Sequence, residues 1–119
     1  GYHGLAHGAL GCTAYKSEDF RAPFEGQLDG MGSATSAWSF SEYGALPLPP
    51  LRSADIGCVI VEAIQGRGGI RPPPEGWLTA LRDHCTWEGA LLVFDEIYTG
   101  FGRTGEWFAY QCADGGGVH

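Results

Sequence analysis

The chain has 119 residues, 44% of them hydrophobic, with four Trp, five Tyr and six Phe, so it holds enough apolar material for a packed core and is not a disordered chain. Fourteen acidic residues against seven basic ones give a net charge of −7, which argues against a phosphate-backbone partner, and no nucleic acid is expected. No apolar run approaches the roughly 18 residues of a membrane span, and no membrane partner is expected.

The first stretch, GYHGLAHGAL (1–10), has no basic segment ahead of its apolar one, so it does not read as a secretion signal. A short helix is expected near Leu5 to Leu10, followed by a long irregular surface chain through Ser33 to Pro50. Asp29-Gly30 and Pro49-Pro50 mark turns, and residues 1–53 as a whole read as a loop-rich segment. His3 and His7 have the i, i+4 spacing of two ligands on a helix. HGLAH lacks the glutamate of a zinc protease and no third ligand follows, so no metal is expected. Tyr2 precedes His3 and Gly4, and a Tyr near a Gly can lay its ring against a planar ligand. By itself it is an ordinary surface or core aromatic.

Residues 54–119 read as a βαβ unit. Gly57 to Val61 is a short apolar run with β-branched residues, as in a strand covered on both faces, and it ends at Glu62. A Gly- and Pro-rich link, Gln65 to Pro74, leads into a helix from about Glu75 to Trp87. Its apolar stripe is Leu78, Leu81 and Cys85, and Gly89 stands at the C-cap. Ala90 to Phe94 forms the second strand. Strand, helix and strand in about 40 residues imply parallel strands with a right-handed crossover, so the chain is expected to be α/β with a mostly parallel sheet and flanking helices.

Parallel strands present their carboxyl ends on one edge, where α/β proteins bind ligands, and Glu62 and Asp95 both stand there. An isolated carboxylate is costly to bury, so Asp95 at the end of LLVFD asks for a partner. Two readings stay open: a carboxylate that holds a protonated heterocyclic nitrogen, or a helix N-cap or salt bridge to Arg103. GFGRTG (100–105) matches G-x-G-x-x-G. It starts five residues past Asp95 and lacks the acidic residue about 20 positions on, so a tight turn is favoured over a dinucleotide site. Gly66-Arg67-Gly68-Gly69 is a βα turn, where Arg67 pairs with a substrate carboxylate, pairs with Glu62 or is solvated. Cys12, Cys58, Cys85 and Cys112 show no CxxC spacing and read as buried, reduced thiols of a cytoplasmic protein. The absence of an initiator Met and the ending Gly115-Gly116-Gly117-Val118-His119 lead us to expect a fragment.

Several segments together resemble the class III aminotransferases, pyridoxal-phosphate enzymes of fold type I: Tyr2-His3-Gly4, VEAIQGRGGI (61–70), PPPEGWLTALRDHC (72–85) and GALLVFDEIYTGFGRTGEWFA (89–109). They cover about half the chain in the family's order; Ser17 to Ala54 matches loosely. The resemblance implies an incomplete piece (1–119) of the cofactor-binding large domain, with pyridoxal 5′-phosphate as cofactor. It implies amino-group transfer from a small-molecule donor to a keto acid or aldehyde acceptor, by a parent that is a homodimer. By motif, Asp95 resembles the aspartate that pairs with the pyridine nitrogen, and Tyr2, next to His3, the aromatic that stacks on the ring. Glu62 resembles a supporting glutamate near the cofactor, and Tyr98 takes a place near its 3′-oxygen. Ala63 replaces the usual Pro, and Arg67 stands where many relatives have Glu. The Schiff-base lysine would lie past Val118-His119 and is absent from the chain, whose one lysine, Lys16, sits in surroundings that resemble nothing catalytic. The phosphate cup is expected upstream. Other classes remain: a catalytically silent fragment or interaction module, or a nucleotide-dependent oxidoreductase.

Overall fold

A computed structural model of the chain describes residues 1–28, 38–52 and 55–115. The N-terminal third contains three single turns of helix, α1 (His7–Leu10), α2 (Ser17–Phe20) and α3 (Glu25–Leu28), with a 3₁₀ turn at Ala22–Phe24 between the last two. The expected helix near Leu5 to Leu10 is thus one turn that begins at His7. α2 and α3 were not expected. Four-residue turns are too short for a 3.6-residue period to register in sequence, although Glu18 and Asp19 do stand in the first turn of α2, where the helix end favours acid. Residues 38–50 are irregular, as expected; the rest of the expected loop (33–37) and the Asp29-Gly30 turn lie outside the described residues.

β1 (Cys58–Glu62) and β2 (Leu91–Asp95) pair in parallel, with Cys58 opposite Leu91 and Glu62 opposite Asp95. Between them α4 runs Trp77–Glu88 and buries Trp77, Leu78, Leu81 and Cys85, the expected stripe with one tryptophan added. Leu78 and Leu81 are each 5% exposed, and burial of such a side chain contributes about 1.5–3 kcal/mol. Gly89 ends the helix at φ 76°, a left-handed conformation that favours glycine, and Ala90 N–H returns to the Cys85 carbonyl at 2.9 Å.

Because side chains alternate along a strand, Val59, Val61, Leu92 and Phe94 share one face of the sheet, and that face packs with α4 and Leu51. The other face carries Cys58, Ile60 and Glu62 from β1 and Leu91, Val93 and Asp95 from β2. Leu91 and Val93 are 70% and 42% exposed, and Cys58 is exposed too. The expectation of a first strand covered on both faces is therefore corrected: α4 covers one face, and the other is covered only toward its carboxyl end. The cysteines divide in the same way. All four are free, Cys12 and Cys85 buried, Cys58 and Cys112 exposed, so the expectation of four buried thiols holds for two.

Residues 38–50 are fastened to this unit by aromatic side chains. Tyr43 donates its hydroxyl to the Ala63 carbonyl at 2.9 Å, and its ring lies 5.0 Å from that of Trp77. Trp77 Nε1 donates to the Ala45 carbonyl at 3.0 Å. A 3₁₀ helix, Ala109–Gly115, follows the loop after β2.

Candidate functional site

The register that sets Glu62 opposite Asp95 puts two carboxylates on one face at one edge of the sheet. The N-terminal segment crosses that edge and meets both. Tyr2 N–H donates to Glu62 Oε1 at 2.8 Å, and His3 Nδ1 lies 2.8 Å from Asp95 Oδ2. A carboxylate can only accept, so His3 Nδ1 carries the proton in this pair. The His3 and Asp95 side chains are 4% and 13% exposed, which leaves little water to screen them. Asp95 Oδ1 accepts the Ile97 N–H at 3.1 Å. Of the two readings left open for Asp95, the second is met only in part: the Ile97 bond is a capping contact, but it caps a turn and not a helix, and the side-chain partner is His3 and not Arg103.

Thr13, wholly buried, fixes the crossing segment: its hydroxyl accepts the His3 N–H at 3.0 Å and donates to the Gly4 carbonyl at 3.0 Å. Gly4 has φ 112°, a region closed to most side chains, and this turns the chain just after His3.

Glu62 is 4% exposed and uses both oxygens, Oε2 accepting the Gly66 N–H at 3.0 Å. One buried carboxylate therefore holds both the tyrosine segment and the turn after β1. That turn carries Arg67, whose guanidinium lies over the Tyr2 ring, 4.6 Å from its centroid. Arg67 stacks on Tyr2 instead of pairing with Glu62, whose oxygens take the Tyr2 and Gly66 N–H groups. A Cβ on residue 66 would come within 3.1 Å of the Tyr98 ring, so Gly66 lets that ring lie close to the turn. The five residues singled out from sequence are thus gathered at one edge, Tyr2, His3, Glu62 and Asp95 through hydrogen bonds and Tyr98 through its approach to the Gly66 turn.

Sequence reasoning saw Glu96 as the carboxylate beside Asp95 and gave it no role. It points away from its neighbour's role: its oxygens accept from Thr99 Oγ1 and from the Ala109 and Tyr110 N–H groups, the latter two at 3.0 Å. This caps the 3₁₀ helix and closes the GFGRTG loop, in which Phe101, Gly102 and Gly105 have positive φ. The loop is the tight turn that was favoured. Thr13 was missed; a buried hydroxyl in GCTAY leaves no pattern that separates it from a surface threonine. An open hollow of about 540 Å³ lined by Tyr43, Arg71 and Pro72 to Pro74 contains none of the site residues.

The edge supplies a carboxylate backed by an imidazole and an aromatic ring already stacked with a flat cation. That donor set fits a planar, protonated heterocycle, with Asp95 toward the ring nitrogen and Tyr2 toward a ring face. It contains no lysine. Lys16 reaches only the ring of its neighbour Tyr15, 5.8 Å from the centroid.

A family model described as aminotransferase class-III matches residues 1–118. The chain is 40% identical over 115 residues to an acetylornithine aminotransferase of Methanopyrus kandleri, which spans 96% of this chain and 27% of that protein. Identity to the Methanosarcina mazei protein of the same name is 41% over 110 residues, 92% of this chain and 26% of the relative. The ornithine aminotransferase structure of Toxoplasma gondii, described with partial occupancy of PLP at its active site, superposes with a TM-score of 0.63 at 28% identity, over 91% of this chain and 24% of that one. The chain spans about a quarter of the length of the curated relatives it matches.

Proposed function

Because the chain belongs to the class III aminotransferase family, whose fold type I sheet it shares, we propose that the protein carrying it moves amino groups from a small-molecule donor to a keto acid or aldehyde acceptor with pyridoxal 5′-phosphate. The observation that carries the reading is the Asp95–His3 pair at the strand end, joined through Glu62 to the Tyr2 segment. Pyridoxal phosphate supplies an electron sink for the carbanion next to the reacting nitrogen. The chain's residues would serve it from the protein side. Asp95 would hold a proton on the ring nitrogen by charge pairing in a poorly solvated place, with His3 keeping that carboxylate oriented. Tyr2, its position set by Glu62, would support the ring face, and Tyr98 would serve the ring oxygen.

The homodimer, the cytoplasmic location and the division into a loop-rich segment (1–53) and a βαβ unit (54–119) belong to the same proposal. The four free thiols suit a reducing compartment. In the full-length protein, Asp95→Asn should lower kcat by on the order of 10²–10³, as loss of one preorganised electrostatic partner does, and shift the absorbance band of bound pyridoxal phosphate. A rate near wild type would remove Asp95 from this role. A full-length protein that neither binds pyridoxal phosphate nor exchanges amino groups would end the reading.

A further inference from the structure

Arg67 is the charged group at this edge that no step of the proposed chemistry uses. It is exposed, yet its head group is held. Its guanidinium lies over the Tyr2 ring, 4.6 Å from the centroid, and the Tyr98 ring flanks the turn that carries it. The backbone beneath it is fixed as well, since Gly66 N–H is bound by the buried Glu62 at 3.0 Å and the Tyr98 ring lies 3.1 Å from where a residue-66 Cβ would be. What Arg67 lacks is a counter-charge. Glu62 is engaged by Tyr2 and Gly66, Asp95 by His3 and Ile97, and among the described residues no carboxylate pairs with Arg67. Its neighbour is the Tyr2 ring, whose face steers a guanidinium without supplying a counter-charge. A planar fork of donors, oriented and unpaired beside a reaction site, is built to take a planar anion in two parallel hydrogen bonds.

We propose that Arg67, positioned by Tyr2, is a specificity-determining residue that receives a carboxylate of the substrate, one distinct from the reacting amine or carbonyl. The proposal rests on the transaminase reading for what happens to the substrate, but the anion site can be measured apart from it. The substrate class is then an amino acid or keto acid, and a simple alkylamine is a poor substrate because it leaves the guanidinium without its anion.

The test uses the full-length protein, with calorimetric titration of acetate, pentanoate and glutarate, and kinetics with 5-aminopentanoate against pentylamine as donors. At least one carboxylate should bind about tenfold or more weakly to Arg67→Gln than to wild type, with Arg67→Lys between them because it keeps the charge and loses the fork. In Arg67→Gln, kcat/KM should fall at least about tenfold further for the amino acid than for the amine, mainly through KM. Equal binding of all three anions to wild type and Arg67→Gln, or equal kinetic losses for amine and amino acid, would overturn the proposal. If wild type transfers no amino group from either donor, the transaminase reading fails, while Arg67-dependent carboxylate binding still supports the anion site and its absence still overturns it.

Discussion

Glu62 shows how much one side chain organises at the edge. It is buried, it accepts two backbone N–H groups, and those groups belong to segments 60 and 4 residues away in sequence. Hydrogen bonds to a charged acceptor contribute about 1.5–3 kcal/mol each, roughly twice a neutral one. Glu62→Gln keeps the shape but offers one acceptor oxygen and turns an NH₂ toward a second N–H. The full-length variant should lose about 1–3 kcal/mol in denaturant unfolding and bind pyridoxal phosphate less tightly, because Tyr2 and the Arg67 turn are released together. Unchanged stability and unchanged cofactor affinity would show that the two contacts do not matter. Glu62 and Asp95 were legible as strand-end carboxylates. Their roles toward Tyr2 and His3 were not, because those partners come from sixty or more positions away and no spacing rule reaches that far.

Among the elements, the segment at 38–50 depends most on a titratable group. Tyr43 fastens it to the residue after β1, and burial pushes the Tyr43 phenol up from 10.0 to about 12, with the Glu62 charge acting in the same direction. Folding thus favours the protonated phenol. The stability tied to Tyr43 is complete below pH 10 and is lost as pH rises through about 12. The fall in thermal midpoint between pH 10 and 12 should therefore be shallower in Tyr43→Phe than in wild type. Parallel slopes in the two proteins would mean that the phenol does not hold this segment. The larger elements were readable: β1, α4 and β2 lie within two residues of their expected bounds, since their apolar patterns run over enough residues to show a period. α2 and α3 are single turns and show none.

At the scale of the whole molecule, the described residues form a sheet of two strands, fewer than the three or more that usually stand alone. Leu91 and Val93 on the face away from α4, and Ile97, Phe101 and Trp107 after β2, are exposed, Ile97 by 88%. Large exposed apolar side chains, where they gather, mark association surfaces or aggregation liabilities. A polypeptide of these 119 residues by itself should associate with rising concentration in light scattering and bind a hydrophobic dye, whereas the full-length protein should do so far less. A monodisperse chain that binds no dye would show that these side chains find cover within it. By itself the sequence determined the α/β class, the parallel crossover and the family, because these follow from local periodicity and from motifs continuous along the chain. Tertiary structure alone decided that LLVFD brings its aspartate to His3, that Glu62 serves Tyr2 and the Arg67 turn at once, and that one sheet face lies open. Each of these depends on strand register and on distant segments crossing one edge, and the burial and charge pairing that result are properties of that crossing.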